Sequence, residues 1–487
     1  MNHHQVLIVG SGFAGIGMAI RLRETGTEDV VLLERAATLG GTWQANRYPG
    51  CACDVESVLY SFSFAPNPGW TRTFATQPEI EAHLRSLADA HGITERIRFG
   101  KEVRSARWDA VHARWEVVTS TATGTCTWTA DTLILATGAL SDPIRPDIPG
   151  LASFGGPMFH TAEWDATVPL DGRRVGIIGT GASAIQVIPA IQPRVAQLVV
   201  AQRTPPWVMP RWDRAIPERT RQRYAARPWT QRLARLAQYL RHEVLFLPFR
   251  HAALRRVAEA VIGLHLRSQV RDPALRARLR PRYGIGCKRL LLSDDFYPAM
   301  TRPKVTLETT AIRRIVPDGI ETVEGTHHRL DVLLLATGFR PTDPPLAPAV
   351  VGAAGRSLAE VWAGSPRAHL GCSVAGFPNL FLLNGPNTGL GHSSVLLMFE
   401  AQFAQILGVL AARRARGARS VAPTEAAQAR YVRWLDAAHR TTVWQSGGCA
   451  SWYLDRTGRN STLWPYGVGR YRRLLGRVRP EEYAFDA

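Results

Sequence analysis

Residues 6–15 read Val6-Leu7-Ile8-Val9-Gly10-Ser11-Gly12-Phe13-Ala14-Gly15, a short apolar run that breaks into glycines. The run predicts a buried strand, and Gly10-x-Gly12-x-x-Gly15 predicts the turn from it into a helix. The first glycine makes the tight turn, the second lets backbone approach a pyrophosphate, and the third lets helix and strand pack closely. A second strand is expected over Val30 to Leu33, ending at Glu34, where an acid accepts hydrogen bonds from a ribose and excludes a 2′-phosphate. FAD or NAD therefore suits this first site. The pattern returns at residues 175–184, Val175-Gly176-Ile177-Ile178-Gly179-Thr180-Gly181-Ala182-Ser183-Ala184, with alanine accepted at its last position. Its next strand, residues 198–201, ends in Gln202-Arg203-Thr204. No acid stands there. Arg203 can pair with a 2′-phosphate in bidentate fashion, with Thr204 as a second contact, so this site reads as NADP(H).

Composition sets the outer limits. A chain of 487 residues, 45% apolar and 20% charged, has the length and balance of a globular protein of two or three domains. It shows no uninterrupted apolar run of membrane-spanning length, and Met1 runs almost directly into the first strand rather than a cleavable signal, so a cytoplasmic location without stable membrane insertion is expected. The six cysteines, at 51, 53, 126, 287, 372 and 449, show no CxxC and no zinc spacing, and read as ordinary reduced thiols with no metal site. The net charge of +19 is almost wholly arginine, since Lys101, Lys288 and Lys304 are the only lysines. No arginine-rich tail or aromatic-interleaved basic motif accompanies it, so nucleic-acid binding is not expected.

Between the two glycine motifs lies Phe154-Gly155-Gly156-Pro157-Met158-Phe159-His160-Thr161-Ala162-Glu163-Trp164-Asp165. Its pattern F-x-G-x3-H-x3-W, flanked by two dinucleotide signatures, resembles the fingerprint of the type I (class B) Baeyer–Villiger flavin monooxygenases. Other segments carry the same resemblance: Gly41-Thr42-Trp43, Tyr48, Asp54, the Ala-Thr-Gly turns at 136–138 and 336–338, and Lys288-Arg289. The resemblance implies an α/β fold of two Rossmann-like dinucleotide-binding domains, the FAD domain discontinuous and the NADP domain inserted, with a helical insertion.

The boundaries expected are 1–142 for the first part of the FAD domain and 143–170 for the linker with the fingerprint. The NADP domain follows at 171–210 and 283–330, interrupted by the helical subdomain 211–282, and 331–487 completes the FAD domain. The antiparallel hairpins expected from 97 to 135 fall in the first part. A helix is expected to open at the glycine-rich turn 385–392, where His392 reads as structural more readily than as an acid or base. The tract Cys449 to Tyr453, with Asn460 and Trp464, reads as packing around the mouth of the site.

The activity implied is NADPH-dependent insertion of one oxygen atom of O2 beside a ketone carbonyl, giving an ester or lactone through a C4a-peroxyflavin. Arg289 is the implied central group, with Asp54 orienting it, Lys288 beside it, and His160 and Trp164 coupling the two domains. The FAD contacts implied are Gly10, Gly12, Phe13, Ala14, Gly15, Glu34, Arg35, Gly41, Thr42, Trp43, Asp54, Tyr60, Val103, Ala136, Thr137, Gly138 and Asn387. Those implied for NADPH are Gly179, Thr180, Gly181, Ala182, Ser183, Arg203, Thr204 and Lys288, and Ala336, Thr337 and Gly338, at the second crossover back to the FAD domain, are further cofactor contacts. The partners are a small-molecule ketone and O2, and the protein is a monomer or homodimer. A flavin-dependent N- or S-oxygenase is the alternative. A two-nucleotide disulfide reductase would need a CxxC beside the flavin. A module for anionic surfaces would leave both nucleotide motifs unused.

Overall fold

The computed structural model describes residues 2–122, 124–449 and 451–486. Two sheets organise it. The first has eight strands, in the order Val350–Val351, Glu102–Asp109, Arg114–Thr121, Gly124–Leu135, Asn2–Val9, Val30–Leu33 and Ile97–Arg98, with Leu380–Leu382 added to Gly124–Leu135. The valine and leucine run from Val6 to Val9 is buried on both faces because helices cover one side and the antiparallel hairpins the other. Helix Phe13–Glu24 and the long helix Val395–Ala415 pack on the first face, while Trp108, Trp115 and Trp128 fill the second. Val395–Ala415 is long and apolar enough to cross a membrane, but 61% of its most apolar window is buried inside the protein.

The second sheet has five strands: Val305–Glu308, Gln197–Ala201, Arg174–Ile178, Val332–Leu335 and Met158–His160. This corrects the expected boundaries. The strand Val332–Leu335 was assigned to the returning FAD domain, yet it pairs in parallel with Arg174–Ile178 on one side and Met158–His160 on the other. Likewise Met158–His160, expected within a linker, is an edge strand of this sheet.

The reason is a repeated local requirement. Gly10 and Gly179 turn with φ of +105° and +111°, and each presses its backbone against the carbonyl of an alanine on the neighbouring strand, Ala136 and Ala336 respectively. A Cβ on Gly10 would lie 2.6 Å from the Ala136 oxygen, and one on Gly179 would collide with the Ala336 oxygen. Each glycine turn thus needs its own Ala-Thr-Gly strand beside it. The chain returns to the first sheet only afterwards, at Val350–Val351 and Leu380–Leu382. The two crossings are tied together: Ile144 N donates to Gly338 O at 2.8 Å, Thr337 Oγ1 donates to Ile144 O, and Pro143 bridges Phe339.

Residues 211–282 form the expected helical insertion, with helices Glu218–Ala226, Pro228–Leu245, Leu247–Arg250, Ala252–Gln269 and Pro273–Leu279. The glycine-rich turn at 385 does not open its helix directly, which starts at Val395 with Ser394 as cap. The reading of six free thiols also needs correction. Gly284 N donates to Gly447 O at 3.3 Å, which brings two distant segments together, and Cys287 and Cys449 form a disulfide across 162 residues. Cys51, Cys53, Cys126 and Cys372 are free. A non-reducing peptide map is expected to show the 287- and 449-containing peptides joined, and separated only after reduction.

Burial fixes the protonation of several histidines. His83 and His439 are pushed down to about 4, in both cases chiefly by burial, with the Arg459 charge adding at His439 against a hydrogen bond to Leu463 O. Their folded values lie below the unfolded value of about 6.5, so below that pH the unfolded state binds more protons and stability falls with pH toward 4. Lowering the pH from 7 to 5 is expected to reduce the melting temperature by roughly 4 °C through these two rings, and His83→Gln to remove about half of that dependence. Scanning calorimetry over that range reads both.

Candidate active site at the domain junction

The FAD-side cradle is assembled by backbone. Strand Asn2–Val9 delivers Gly10, and Gly12 caps the helix that begins at Phe13, with Ala14 and Gly15 in its first turn. Gly41 faces Gly12 so closely that a Cβ on it would stand 3.0 Å from the Gly12 Cα, and Gly40 N donates to Ser11 O at 3.1 Å. Two glycine backbones held face to face leave the space a pyrophosphate needs, which fits FAD. Glu34 is buried at the strand end, and its carboxylate accepts from Ser11 N at 2.9 Å, Ser11 Oγ at 2.8 Å and Ala36 N at 2.9 Å. Those bonds set the carboxylate beside the glycine turn, where an oxygen lone pair can meet a ribose hydroxyl. Arg35 lies outside, donating to Ser141 O at 3.1 Å and Asp142 Oδ1 at 3.3 Å.

From the glycine turn an aromatic relay leads inward. Phe13 stands edge-on to Tyr60 at 5.4 Å, and Trp43 Nε1, one residue into the turn begun by Thr42, donates to the Tyr60 hydroxyl at 3.0 Å. Tyr60 in turn feels the charges of Asp54 and Arg289. Arg289 donates from Nε and Nη2 to Asp54 Oδ2 at 2.9 and 2.5 Å, across 235 residues of sequence. Both side chains remain about one-third exposed, at 32% and 29%. Burial works to raise the Asp54 carboxyl, but the charge and hydrogen bonds of Arg289, with Arg211 behind, outweigh it and hold it below its ordinary value. The Asp54 charge likewise raises Arg289. The pair is ionised throughout the neutral range.

Around it stand groups that sequence reading passed over. Arg211 Nη2 donates to Cys53 O at 2.8 Å, and its guanidinium lies 4.9 Å over the Phe74 ring. It also lines a cavity of about 250 Å³ with Phe74, Trp212 and Glu56. The Tyr453 hydroxyl is buried without a partner among the described residues, and burial pushes it up to about 12 against the pull of Arg289. It stays neutral, near enough to feel the charges of Arg289 and Asp54. Tyr453 had read only as packing, and Ala450 of the same tract lies outside the described residues. No local spacing announced Arg211. Its one signal was position, just past a strand end of the second domain.

On the NADP side, helix Ala184–Ile191 follows Gly179, Thr180, Gly181, Ala182 and Ser183, and nothing lies within 4 Å of where a Gly181 Cβ would project. Thr180 Oγ1 donates to Thr204 O at 3.4 Å, which ties the glycine turn to the strand end that carries Arg203. Lys288 lies 5.4 Å over the Tyr283 ring, and its ammonium is lowered by burial and by the charge of Arg203. Two cations stand near each other with neither in an ion pair among the described residues, which is the donor set a 2′-phosphate requires. The domains meet where the Tyr48 hydroxyl donates to Gln186 Oε1 and Gln186 Nε2 donates to Ala52 O, both at 3.0 Å.

The expected site residues therefore divide. Gly10 to Gly15, Glu34, Gly41 to Trp43, Tyr60 and Ala136 to Gly138 gather on the first domain, with Val103 buried in the strand Glu102–Asp109. Asp54 and Arg289 meet at the junction, and Lys288 feels the charge of Arg203.

His160 and Trp164 lie elsewhere. His160 is fully buried, caps the turn at Ala162 through Nδ1 at 3.1 Å, and stands edge-on to Phe339 at 5.6 Å, beside Ala336, Thr337 and Gly338 of the crossover. Burial keeps its ring neutral. Trp164 packs against Phe159 at 5.2 Å. Both are positioned at the domain crossing and not at the ion pair. Asn387 is held by the protein itself. It adopts φ +60°, its Nδ2 donates to Asn460 O at 2.6 Å and Leu463 O at 3.1 Å, and its Oδ1 accepts from Arg459 at 2.8 Å. With its backbone N–H also given to Ser461 O, at 2.8 Å, it is spent on holding the C-terminal tract and has no polar hydrogen left for a cofactor. His392 is enclosed at 3.7 Å from Glu243, as a structural histidine.

Comparison with known proteins agrees with this arrangement. A family model described as flavin-binding monooxygenase-like matches residues 3–228. A Baeyer–Villiger monooxygenase of Streptomyces coelicolor is 46% identical over 99% of this chain and 92% of its own length. Another, of Pseudomonas aeruginosa, is 43% identical over 99% and 91%. Among solved structures, an oxidised steroid monooxygenase bound to NADP superposes with a TM-score of 0.89 at 32% identity, and closed cyclohexanone monooxygenase with 0.90 at 28%, each over the whole of both chains. With two glycine cradles and an ion pair shared between the domains that carry them, this chain belongs to the Baeyer–Villiger monooxygenases, NADPH-dependent flavoenzymes of two Rossmann-like domains.

Proposed function

We propose that Arg289, held by Asp54, is the group through which this chain directs oxygen from O2 into the bond beside a ketone carbonyl, giving an ester or lactone. One observation supports this above the rest: a guanidinium from the second domain is fixed by a first-domain carboxylate at the junction of the two nucleotide sites. Bound FAD and NADPH supply oxygen activation and hydride. The residues of the chain supply position and field.

Arg289 cannot lose its proton at working pH, so it offers a permanent positive charge to an oxygen anion before attack on the carbonyl and to the alkoxide that attack creates. Asp54 takes up Nε and Nη2, which leaves the hydrogens of Nη1 for an oxygen anion bound beside the pair. Tyr453, kept neutral and without a partner among the described residues, has a hydroxyl hydrogen to offer a bound oxygen without giving up its proton. Burial raises both nearby thiols, Cys51 to about 11, so neither is a thiolate and the site has no dithiol chemistry to offer. Phe246, Phe249, Trp444 and Tyr453 close over the 284–289 segment as an apolar cluster and exclude water from that side.

The test is to reduce the flavoenzyme with NADPH without air and then admit isotope-labelled O2 with a panel of aliphatic, cyclic and aromatic ketones. Ester or lactone carrying one labelled atom is the expected product. Hydrogen peroxide alone from every ketone, with oxide formed from an amine or sulfide panel, would replace this reading with N- or S-oxygenation.

A further inference from the structure

Among the described residues sixteen large hydrophobic side chains stand exposed, and twelve of them lie in the helical insertion 211–282. They are not scattered. On helix Pro228–Leu245 the exposed positions Trp229, Leu233, Leu236, Leu240 and Val244 recur every three or four residues and are each 50–63% exposed. On helix Ala252–Gln269, Leu254, Val257, Val261 and Leu264 repeat the pattern.

The first of these helices is inside-out. Its inward face is the polar one. Gln231 Nε2 donates to Asn67 O at 2.7 Å, Arg235 Nη1 to Ser61 O at 2.6 Å, and His242 Nε2 is 2.8 Å from Glu56. Its apolar stripe is left exposed by the described residues. A surface helix normally buries its apolar face, and contiguous exposed apolar surface marks an interaction site.

The charge of the same segment says what covers it. Residues 211–282 hold 18 arginines, no lysine and 5 acids, and so carry most of the net charge of +19. Each acid is already engaged. Asp213 binds Arg72, Glu218 binds Arg221, Glu243 accepts from Val468 N, Glu259 from Ile285 N, and Asp272 caps Ala274 N. A second copy would bring arginines against arginines with no free carboxylate to meet them, and like charges facing across an interface disfavour association. An anionic surface with an apolar interior satisfies both the stripe and its arginines. Trp229, at the end of the first stripe, is of the residue type enriched at headgroup depth.

We propose that the helical insertion docks peripherally on anionic phospholipid bilayers, its two apolar stripes lying at the boundary of headgroups and acyl chains and its exposed arginines, such as Arg232 and Arg256, on the phosphates. The docking is a surface contact, separate from the oxygenation reaction and from any membrane span.

Flotation of the full-length flavoenzyme with vesicles tests it. Vesicles of equal phosphatidylcholine and phosphatidylglycerol are expected to carry up at least about tenfold more protein than phosphatidylcholine alone, with the excess lost in high salt. Leu236→Glu with Val257→Glu is expected to abolish flotation while NADPH oxidation and the melting temperature stay at wild-type values, since both side chains are already exposed. Arg232→Gln with Arg256→Gln is expected to remove only the preference for anionic vesicles. The proposal is overturned if wild-type protein floats with neither vesicle, or if the Leu236→Glu, Val257→Glu protein floats as well as wild type. It is equally overturned if wild type is a dimer that those two substitutions split, which would make the stripes a self-interface.

Discussion

Arg289→Ala is expected to oxidise NADPH at close to the wild-type rate and to make almost no ester, with hydrogen peroxide in its place. Hydride transfer between two bound cofactors asks nothing of a cation at the junction, whereas placing negative charge on an attacking oxygen and then on a carbonyl-derived alkoxide does. Removing a preorganised donor from such a place costs about 10²–10³-fold. Fixation strengthens the effect, because the guanidinium is held in advance by Asp54 and need not reorganise.

Arg289→Lys is expected to recover little. An ammonium is a point charge on a flexible stem and cannot hold the carboxylate through two nitrogens while turning a third outward. Asp54→Asn should fall between, since the arginine keeps its charge and loses its anchor. The ionised pair also carries a pH statement. With Asp54 held low and Arg289 held high, neither group titrates between about pH 6 and 9, so the pair adds no inflection to the rate profile in that range. Ester yield measured against NADPH consumption separates the two functions. Wild-type coupling in Arg289→Ala would remove the residue from the mechanism.

How much of this was legible beforehand depended on how local each requirement is. Gly10 and Gly179 were readable because a left-handed turn against a neighbouring carbonyl is imposed within a few residues. Glu34 and Arg203 were readable for the same reason, each standing at a strand end a fixed distance past its turn. The strand Val332–Leu335 was misassigned because Ala-Thr-Gly is the same signature in both domains, and only pairing with Arg174–Ile178 shows which sheet it serves.

The resemblance gave Asn387 as a cofactor contact; the helix after its glycine-rich turn begins eight residues later, and its amide is taken by Arg459 and the 460–463 backbone. The Cys287–Cys449 bond, Arg211 against Cys53 and the buried Tyr453 hydroxyl all depend on segments brought together by the tertiary fold. The resemblance named Asp54 and Arg289 separately, and the structure joined them.

Arg203 makes the second large prediction. Lys288 and Arg203 sit close enough for the arginine to depress the ammonium, with no acid paired to either among the described residues. Holding two like charges together costs stability until an anion arrives, and the 2′-phosphate distinguishes NADPH from NADH at such a place. Arg203→Ala is therefore expected to raise KM for NADPH by about 10²-fold, the equivalent of one or two charged hydrogen bonds, while leaving kcat at saturation and the constants for NADH nearly unchanged. Coenzyme preference then collapses by the same factor.

A structural collapse of the domain would lower kcat with both coenzymes and release the flavin, so the KM-against-kcat split separates recognition from folding. Lys288→Ala should weaken NADPH less on its own, because a single point charge is lost and Arg203 retains its fork. It should also add little to Arg203→Ala once the phosphate has no second partner to bridge, and that non-additivity is the signature of two residues holding one anion. Full NADPH preference in Arg203→Ala would instead place the phosphate on Thr204 and Lys288.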